Sequence, residues 1–292
     1  MMKTIAQSLF LVICFVTCSS EIESVQEKAI AKKHQDALTS PILNPKGTNL
    51  EERFNPPAAY QRIKIESGTF AHYLRTIPLK KSDAKVSYYD GTTKQSKGVY
   101  TAVVDLAIGK RDLHQCADAV MRLKAEHHWK AKEYDKIYFN FTNGFRVDYT
   151  EWMKGRRVVV DGNKTYWNNR SNPSNTYQDF WKYMELVFAY AGTASLSKEL
   201  QSVNYEDMQI GDIFIQGGFP GHAVIVMDMA EHPATGKKCF LLAQSYMPAQ
   251  EIQILVNPNN STFSPWYELN QGEELKTPEW AFLKGDLMRF VE

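Results

Sequence analysis

The sequence lacks an excess of charge of either sign. Thirty-four Lys and Arg residues stand against 33 Asp and Glu residues, which leaves a formal net charge of +1 at pH 7. A chain without a basic surplus has little electrostatic attraction for nucleic acid or for an anionic membrane surface. We therefore expect no nucleic acid among its partners and no binding to a membrane surface through charge.

The sequence also lacks the common signatures of cofactor sites. It has no glycine-rich phosphate loop, no closely spaced His and Glu motif typical of metal ligands, and no paired-cysteine motif. Short basic runs such as Arg156-Arg157 are typical of solvated surfaces. We therefore predict no cofactor and no bound metal.

Cysteine is scarce, with four residues in a chain of 292. Lys3 precedes an apolar run from residue 5 to 16, which is too short to span a bilayer as a helix and is typical of a secretory leader. The leader ends near Cys18 in a segment that resembles a lipoprotein box. We predict residues 1–18 as signal peptide and Cys18 as the lipidated residue, which places the protein in the bacterial cell envelope, held to the membrane by this anchor alone. The alternative is a plain leader cleaved near Ser20.

After the leader and Cys18, only Cys116 and Cys239 remain for the folded part. An oxidising compartment permits a disulfide between them, and this is one interpretation of their presence. The other is that at least one of them is a free thiol with chemistry of its own.

The rest of the chain divides into a tether and one domain. Residues 19–55 are polar and rich in proline, which predicts a flexible tether, and residues 56–292 are predicted as a single globular domain. Its best helix covers residues 109–133, and three strands cover residues 212–215, 222–229 and 239–245. A helical half followed by antiparallel strands indicates an α+β fold.

Cys116 is predicted to lie in the first turn of the best helix. Asp112 as N-cap and Gln115 three residues later indicate a helix start. Free backbone N–H groups and the helix dipole stabilise a thiolate in this position, which is how a cysteine becomes nucleophilic. The alternative is that Cys116 belongs to one apolar stripe with Leu113 and Val120 and is buried and inert.

His222 and Gln244 are candidates for the partners of this thiol. His222 opens an apolar strand after a glycine-rich loop, so we expect its imidazole at the margin of a sheet. An antiparallel hairpin with the next strand places it opposite a residue between Gln244 and Tyr246. The Gln244 amide then accepts the imidazole N–H and fixes its tautomer, with Ser245 as a substitute. Alternatively, both residues are ordinary residues of strand ends.

The order of these features resembles the NlpC-type papain-like cell-wall peptidases. The resemblance covers Arg111–Met247 and is strongest where Gly211-Asp212 starts one strand and Gly221-His222 opens the next. It implies a papain-like α+β fold, a catalytic triad of Cys116, His222 and Gln244, and the stem peptides of peptidoglycan as substrate.

A second resemblance rests on the amino-acid sequences of two short segments. Residues 109–118, Gly-Lys-Arg-Asp-Leu-His-Gln-Cys-Ala-Asp, and residues 141–146, Phe-Thr-Asn-Gly-Phe-Arg, are similar to an uncharacterised family of envelope lipoproteins from Bacteroides-like bacteria. That family implies an envelope location and no particular activity.

An aromatic, amide-rich insertion separates Cys116 from His222. It covers residues 129–202, and its rings, amides and guanidinium groups are typical of a groove for a glycan or a peptide. The predicted substrate-binding residues are Asn143, Arg146, Trp152 and Trp167. The alternative is that these side chains are core.

Two functions follow. The first is a papain-like cysteine hydrolase that cleaves an amide bond in the cell envelope. The second is a non-catalytic envelope lipoprotein that binds a glycan or peptide in the aromatic groove.

Overall fold

The structure, a computed structural model, describes residues 41–162, 164–268, 272 and 274–291. The predicted leader, Cys18 and most of the predicted tether lie outside these residues. Within the described part of the chain, no helix is both long and apolar enough to cross a membrane.

The helices are concentrated before residue 200, in the first two thirds of the chain. The longest helix of the described residues is the one that begins at Cys116. The α-helices are α1 (Leu50–Arg53), α2 (Phe70–Arg75), α3 (Cys116–Ala131), α4 (Tyr149–Met153), α5 (Tyr177–Tyr190) and α6 (Thr193–Glu199).

The strands belong to one large sheet and three hairpins. The large sheet has the order β2-β11-β10-β9-β8-β15-β7, with β1 also pairing with β9 and β12 with β10. The hairpins are β3-β4, β5-β6 and β13-β14. The strands are β1 (Gln61–Arg62), β2 (Tyr100–Val103), β3 (Tyr138–Asn140), β4 (Arg146–Asp148), β5 (Arg156–Asp161), β6 (Lys164–Asn169), β7 (Leu200–Ser202), β8 (Ile213–Gln216), β9 (His222–Glu231), β10 (Lys238–Gln244), β11 (Gln253–Leu255), β12 (Tyr267–Glu268), β13 (Glu274–Lys276), β14 (Ala281–Leu283) and β15 (Leu287–Phe290).

Each strand pair of the described residues is antiparallel. The three predicted strands correspond to β8, β9 and β10, which lie side by side in the centre of the sheet. Their long apolar runs fit this position, because a central strand is covered on both faces. The α+β prediction is confirmed.

The predicted helix start needs a correction. The helix begins at Cys116, with Gln115 as N-cap, and the carboxylate of Asp118 accepts the backbone N–H of Gln115 at 2.9 Å. Asp112, the predicted N-cap, lies before the helix, and its carboxylate accepts the backbone N–H of Ala249 at 2.7 Å instead. The capping carboxylate therefore comes from within the first turn. The prediction that Cys116 lies in that turn is confirmed.

Helix α3 is packed against the centre of the sheet, where it contacts β9 and β10. It is buried around most of its circumference, and its charged groups are therefore paired internally. Arg122 and Glu126, one turn apart, approach each other at 3.3 Å, and the Tyr177 hydroxyl donates to Glu126 at 2.6 Å. Such pairing is the condition under which charges are tolerated in a core.

A buried carboxylate joins the N-terminal elements to the sheet. Asp228 on β9 is fully buried and accepts from Arg62 of β1 and from Arg75 of α2, each at 2.7 Å. Loss of either partner would leave part of a buried negative charge uncompensated, which is costly. The segment before α3 is therefore attached to the same strand that carries His222.

The predicted boundary between tether and domain is wrong. Leu50 and Phe54 are fully buried in the core, and the Trp266 indole donates to the carbonyl of Asn55 at 2.8 Å. The domain therefore includes residues from at least 41 onward. The start of the domain could not be predicted from the sequence, because α1 is only four residues long and too short to show an apolar period. The prolines that flank it are typical of linkers.

Phe54→Ala should test whether this segment is part of the folded body. Removing a fully buried ring leaves a cavity, and we expect the free energy of unfolding in urea to fall by about 3–5 kcal/mol. The matched control is Glu51→Ala on the exposed side of the same helix, which should change it by no more than about 0.5 kcal/mol. Equal unfolding midpoints for the two variants would contradict the assignment of residues 41–55 to the folded domain.

Candidate active site

His222 is the first residue of β9 and is 1% exposed. The loop before it turns back tightly from β8, so that Gln216 and His222 are paired in register. Gly221 has no room for a side chain, because a Cβ would lie 2.4 Å from the Thr193 hydroxyl oxygen. The glycines of this loop therefore let the chain approach α6 and deliver His222 to the sheet margin.

A β-bulge brings Gln244 to the same face of the sheet as His222. The register of β9 against β10 shifts between Leu241 and Leu242, and Met227 of β9 is the extra residue. A one-residue shift moves all following side chains to the other face. Without it, Gln244 would point away from His222.

The imidazole and the amide are joined by a hydrogen bond. His222 Nε2 lies 2.8 Å from Gln244 Oε1, which is the contact that the sequence predicted. Gln244 Nε2 in turn donates to Glu279 Oε2 at 2.6 Å. Because a carboxylate only accepts, the amide must turn its oxygen toward the ring, and Nε2 must carry the proton. The other ring nitrogen, Nδ1, is then the basic one.

A partly buried ion pair with Lys94 holds Glu279, the end of the hydrogen-bonded relay His222–Gln244–Glu279. Lys94 Nζ lies 2.9 and 2.7 Å from the two oxygens of Glu279, and Lys94 is only 4% exposed. Sequence analysis did not identify either residue. They are 185 positions apart, and no local pattern marks a Lys and a Glu that meet only in the folded state.

Cys116 lies beside the same strand. The backbone N–H groups of Cys116, Ala117 and Ala223 act on its sulfur and lower its pKa. The first two belong to the open end of α3, and Ala223 directly follows His222. The sulfur therefore lies near the start of α3 and the start of β9.

Burial nevertheless keeps the thiol protonated. It raises the pKa of Cys116 to about 11, and the nearby Asp118 carboxyl acts in the same direction. Burial likewise lowers the pKa of His222 to about 4, against the opposing effect of its hydrogen bond to Gln244. At neutral pH the resting pair is thus a neutral thiol and a neutral imidazole, not the preformed thiolate that the helix position alone predicted.

Three aromatic rings surround the imidazole. The ring centroids of Tyr246, Trp280 and Phe282 lie 4.8, 5.3 and 5.9 Å from that of His222. Two exposed apolar side chains belong to the adjoining segments: Phe219, in the loop before His222, is 96% exposed, and Met247, which follows Tyr246, is 60% exposed. The margin of the site is therefore apolar and accessible although its centre is buried.

The disulfide interpretation is excluded. Cys116 and Cys239 are both free and buried. Cys239 is opposite Ala230, near the end of the β9–β10 ladder remote from Gln244. Burial and the neighbouring Asp228 raise its pKa strongly, so that it is an inert core thiol.

The predicted substrate-binding residues are not assembled around His222. Trp152 is 6% exposed, and its indole donates to the carbonyl of Asp179 at 3.1 Å, so its ring is core and the prediction for it is wrong. Asn143 forms a turn and donates to the Thr165 hydroxyl at 2.8 Å.

Arg146 and Trp167, the other two predicted residues, contact other side chains of the insertion. Arg146 lies 3.7 Å over the ring of Tyr138, and Trp167 packs against Phe145. These side chains therefore stabilise the hairpins of the insertion itself.

The comparisons with known proteins identify a family. A family model described as a domain of unknown function (4846) matches residues 50–289. This is most of the chain, and the chain belongs to that family. No curated protein and no solved structure matches it.

Glu279→Gln should release the orientation of Gln244. A glutamine both donates and accepts, so it no longer forces the Gln244 oxygen toward His222. We expect the His222 nitrogen resonances in NMR to change from those of the Nε2-protonated tautomer to a mixture of tautomers. The free energy of unfolding should fall by about 1–3 kcal/mol, because Lys94 loses its charged partner.

The matched control is Glu274→Gln, an exposed carboxylate on the neighbouring hairpin. It should leave the His222 resonances and the stability unchanged. If Glu279→Gln also leaves the tautomer of His222 unchanged, the relay does not orient the ring.

The alkylation of Cys116 should depend on pH over an alkaline range. Because only the thiolate reacts and burial raises the pKa of Cys116 to about 11, its rate with iodoacetamide should rise about tenfold per pH unit from pH 7 to pH 10. Mass spectrometry of the peptide that contains Cys116 measures this rate. A plateau below pH 8 would mean that the thiolate is already formed in the resting protein.

Proposed function

We propose that this member of the family is a papain-like cysteine hydrolase that cleaves amide bonds in the bacterial cell envelope, with the stem peptides of peptidoglycan as the substrate class. Cys116 is the nucleophile, His222 the general base and acid, and Gln244 the residue that orients His222. The papain-like fold, the envelope location and the lipid anchor at Cys18 are parts of the same proposal and rest on the sequence resemblance.

One observation supports the proposal above all others. The imidazole of His222 has Nε2 bound to Gln244 at 2.8 Å, and the residue next to it, Ala223, donates its backbone N–H toward the Cys116 sulfur. These contacts support the pairing of the imidazole with its orienting amide and put the sulfur near the start of β9. The proposal adds the transfer of the thiol proton to His222 Nδ1, the step that nucleophilic catalysis by a thiol requires.

The proposed reaction starts from the neutral pair. As the Cys116 sulfur attacks the carbonyl carbon, His222 Nδ1 takes the thiol proton, and the carbonyl π bond becomes an oxyanion. Collapse of this intermediate breaks the C–N bond, and the leaving nitrogen takes the proton from His222. The result is a thioester on Cys116 and a free amine.

Water completes the cycle. His222 Nδ1 removes a proton from a water molecule, whose oxygen attacks the thioester carbon. The C–S bond breaks, the Cys116 sulfur recovers the proton, and the acid is released. Gln244 keeps its hydrogen bond to Nε2 throughout, so that the same ring nitrogen serves in both steps.

The start of α3 favours the negative charge that develops on the sulfur or the carbonyl oxygen during attack. Backbone N–H groups of Cys116 and Ala117 at the start of α3 are not used inside the helix and favour negative charge nearby. They offset part of the cost of forming a thiolate or an oxyanion in a buried place. The apolar margin formed by Phe219 and Met247 suits a substrate that excludes water as it binds.

The alternative function also has an observation in its favour. Cys116 is only 9% exposed and burial raises its pKa to about 11, as expected of an inert core thiol. This favours a non-catalytic envelope lipoprotein that binds a glycan or peptide. The two functions differ in whether Cys116 is needed.

Activity against a synthetic stem peptide should separate the two functions. We expect the parent chain to release an amine fragment that liquid chromatography and mass spectrometry detect. Cys116→Ala and His222→Ala should lower kcat/KM by at least about 10³-fold, and Gln244→Ala should lower it less, because it removes orientation and not a reacting group.

The matched control is Cys239→Ala, which removes the other buried thiol and should retain the parent's kcat/KM. Binding of the uncleaved peptide is measured in parallel. Full affinity in Cys116→Ala, together with no product from the parent chain, would overturn the hydrolase and favour the binding protein.

A further inference from the structure

The end of helix α3 holds a second cluster of reactive side chains. His127 and His128 are consecutive residues near the end of this helix, and Glu133 follows two residues after its last residue, Ala131. Lys132 has a left-handed conformation with φ 60°, and the backbone N–H of Glu133 returns to the carbonyl of His128 at 2.9 Å. This reversal anchors Glu133 beside His128.

The ligand-type atoms of the three residues converge. One nitrogen from each imidazole and one oxygen of Glu133 lie within 4.8 Å of one another. The closest pair is His128 Nδ1 and Glu133 Oε2 at 2.8 Å, and the rings of His127 and His128 have centroids 4.9 Å apart.

A cavity opens onto this cluster. It has a volume of about 390 Å³ and is lined by His127, His128 and Glu133 together with apolar side chains such as Phe70 and Phe139. Cys116, His222 and Gln244 do not line it. The cluster is therefore a site separate from the candidate active site.

We propose that His127, His128 and Glu133 bind a divalent transition-metal ion of the Zn²⁺ class in this cavity. Two imidazoles and one carboxylate are ligands that Zn²⁺ accepts at about 2.0–2.2 Å. Ligand atoms of one such ion are about 3–3.5 Å apart in a tetrahedral arrangement. The pair of His128 and Glu133 already has nearly this separation, and the ligand-type nitrogen of His127 lies within 4.8 Å of both.

The remaining contacts of Glu133 are compatible with this role. Lys136 Nζ lies 2.9 Å from Oε1, the carboxylate oxygen that does not face His128. Oε2 is thus the ligand oxygen, and Lys136 orients the carboxylate from its far side, as outer partners of metal ligands do. The direct contact of His128 with Glu133 holds both side chains in place without the ion.

Three protein ligands leave one or more positions for exchangeable groups. Such open sites bind water or a small ligand, whereas structural zinc sites use four protein ligands. Glu199 and Asp135 line the same cavity and add oxygen atoms that can bind a ligand of the ion. The apolar walls and the acidic side chains together suit a small molecule with a metal-binding group that can also donate a hydrogen bond, and with an apolar body.

This proposal revises the expectation of no metal site. That expectation rested on the lack of a closely spaced His and Glu motif typical of metal ligands. His127 and His128 are adjacent instead, and Glu133 reaches them only because the chain reverses at Lys132. That backbone reversal is not visible in the spacing.

Titration of Zn²⁺ into the chelator-treated full chain, without an affinity tag, tests the proposal. We expect one Zn²⁺ per chain, with a melting temperature that rises on binding. His128→Ala and Glu133→Gln should each weaken Zn²⁺ binding by at least about 100-fold, because loss of even an outer partner costs 10–100-fold. Co²⁺ as a replacement should give an absorption band in the visible range that the same variants lose.

Two controls make the result specific. His232→Ala removes a histidine of the β9–β10 turn and should bind Zn²⁺ as the parent does. Cys116→Ala should also bind Zn²⁺ as the parent does, because Cys116 does not line this cavity. The metal site and the proposed hydrolase can therefore fail independently of each other. Melting temperatures without metal identify variants that have lost the fold. Substoichiometric binding by the parent chain, or parent-like affinity in folded His128→Ala and Glu133→Gln, would overturn the metal site.

Discussion

The candidate active site depends on one irregularity in the ladder between β9 and β10. The extra residue Met227 reverses the facing of everything that follows it, and only for this reason do Gln244 and His222 share a face. Their hydrogen bond and the position of Tyr246, two residues after Gln244, beside the imidazole follow from that register.

Two opposing effects set the chemistry of the thiol. The open end of α3 and the N–H of Ala223 favour a negative sulfur, whereas burial and Asp118 oppose it, and burial dominates. The same burial keeps His222 neutral. The proton is therefore still on the sulfur in the resting state, and in the proposed hydrolase its transfer to His222 becomes part of the reaction.

The sequence predicted the features that rest on local patterns. The apolar runs of β8, β9 and β10, the position of Cys116 in a helix start and the pairing of His222 with Gln244 all have such patterns. It did not predict Lys94 and Glu279, whose relation exists only after folding, nor the packing of Phe54. Trp152 was misassigned because an aromatic ring is equally typical of a groove and of a core.

The relay ends in a residue near the C-terminus. Glu279 is contributed by the loop before β14, after the whole sheet centre has already been synthesised. A chain that has been synthesised as far as Gln244 therefore still lacks the carboxylate that orients its amide. The orientation of His222 thus depends on a residue that follows all three central strands, β8, β9 and β10, in the sequence.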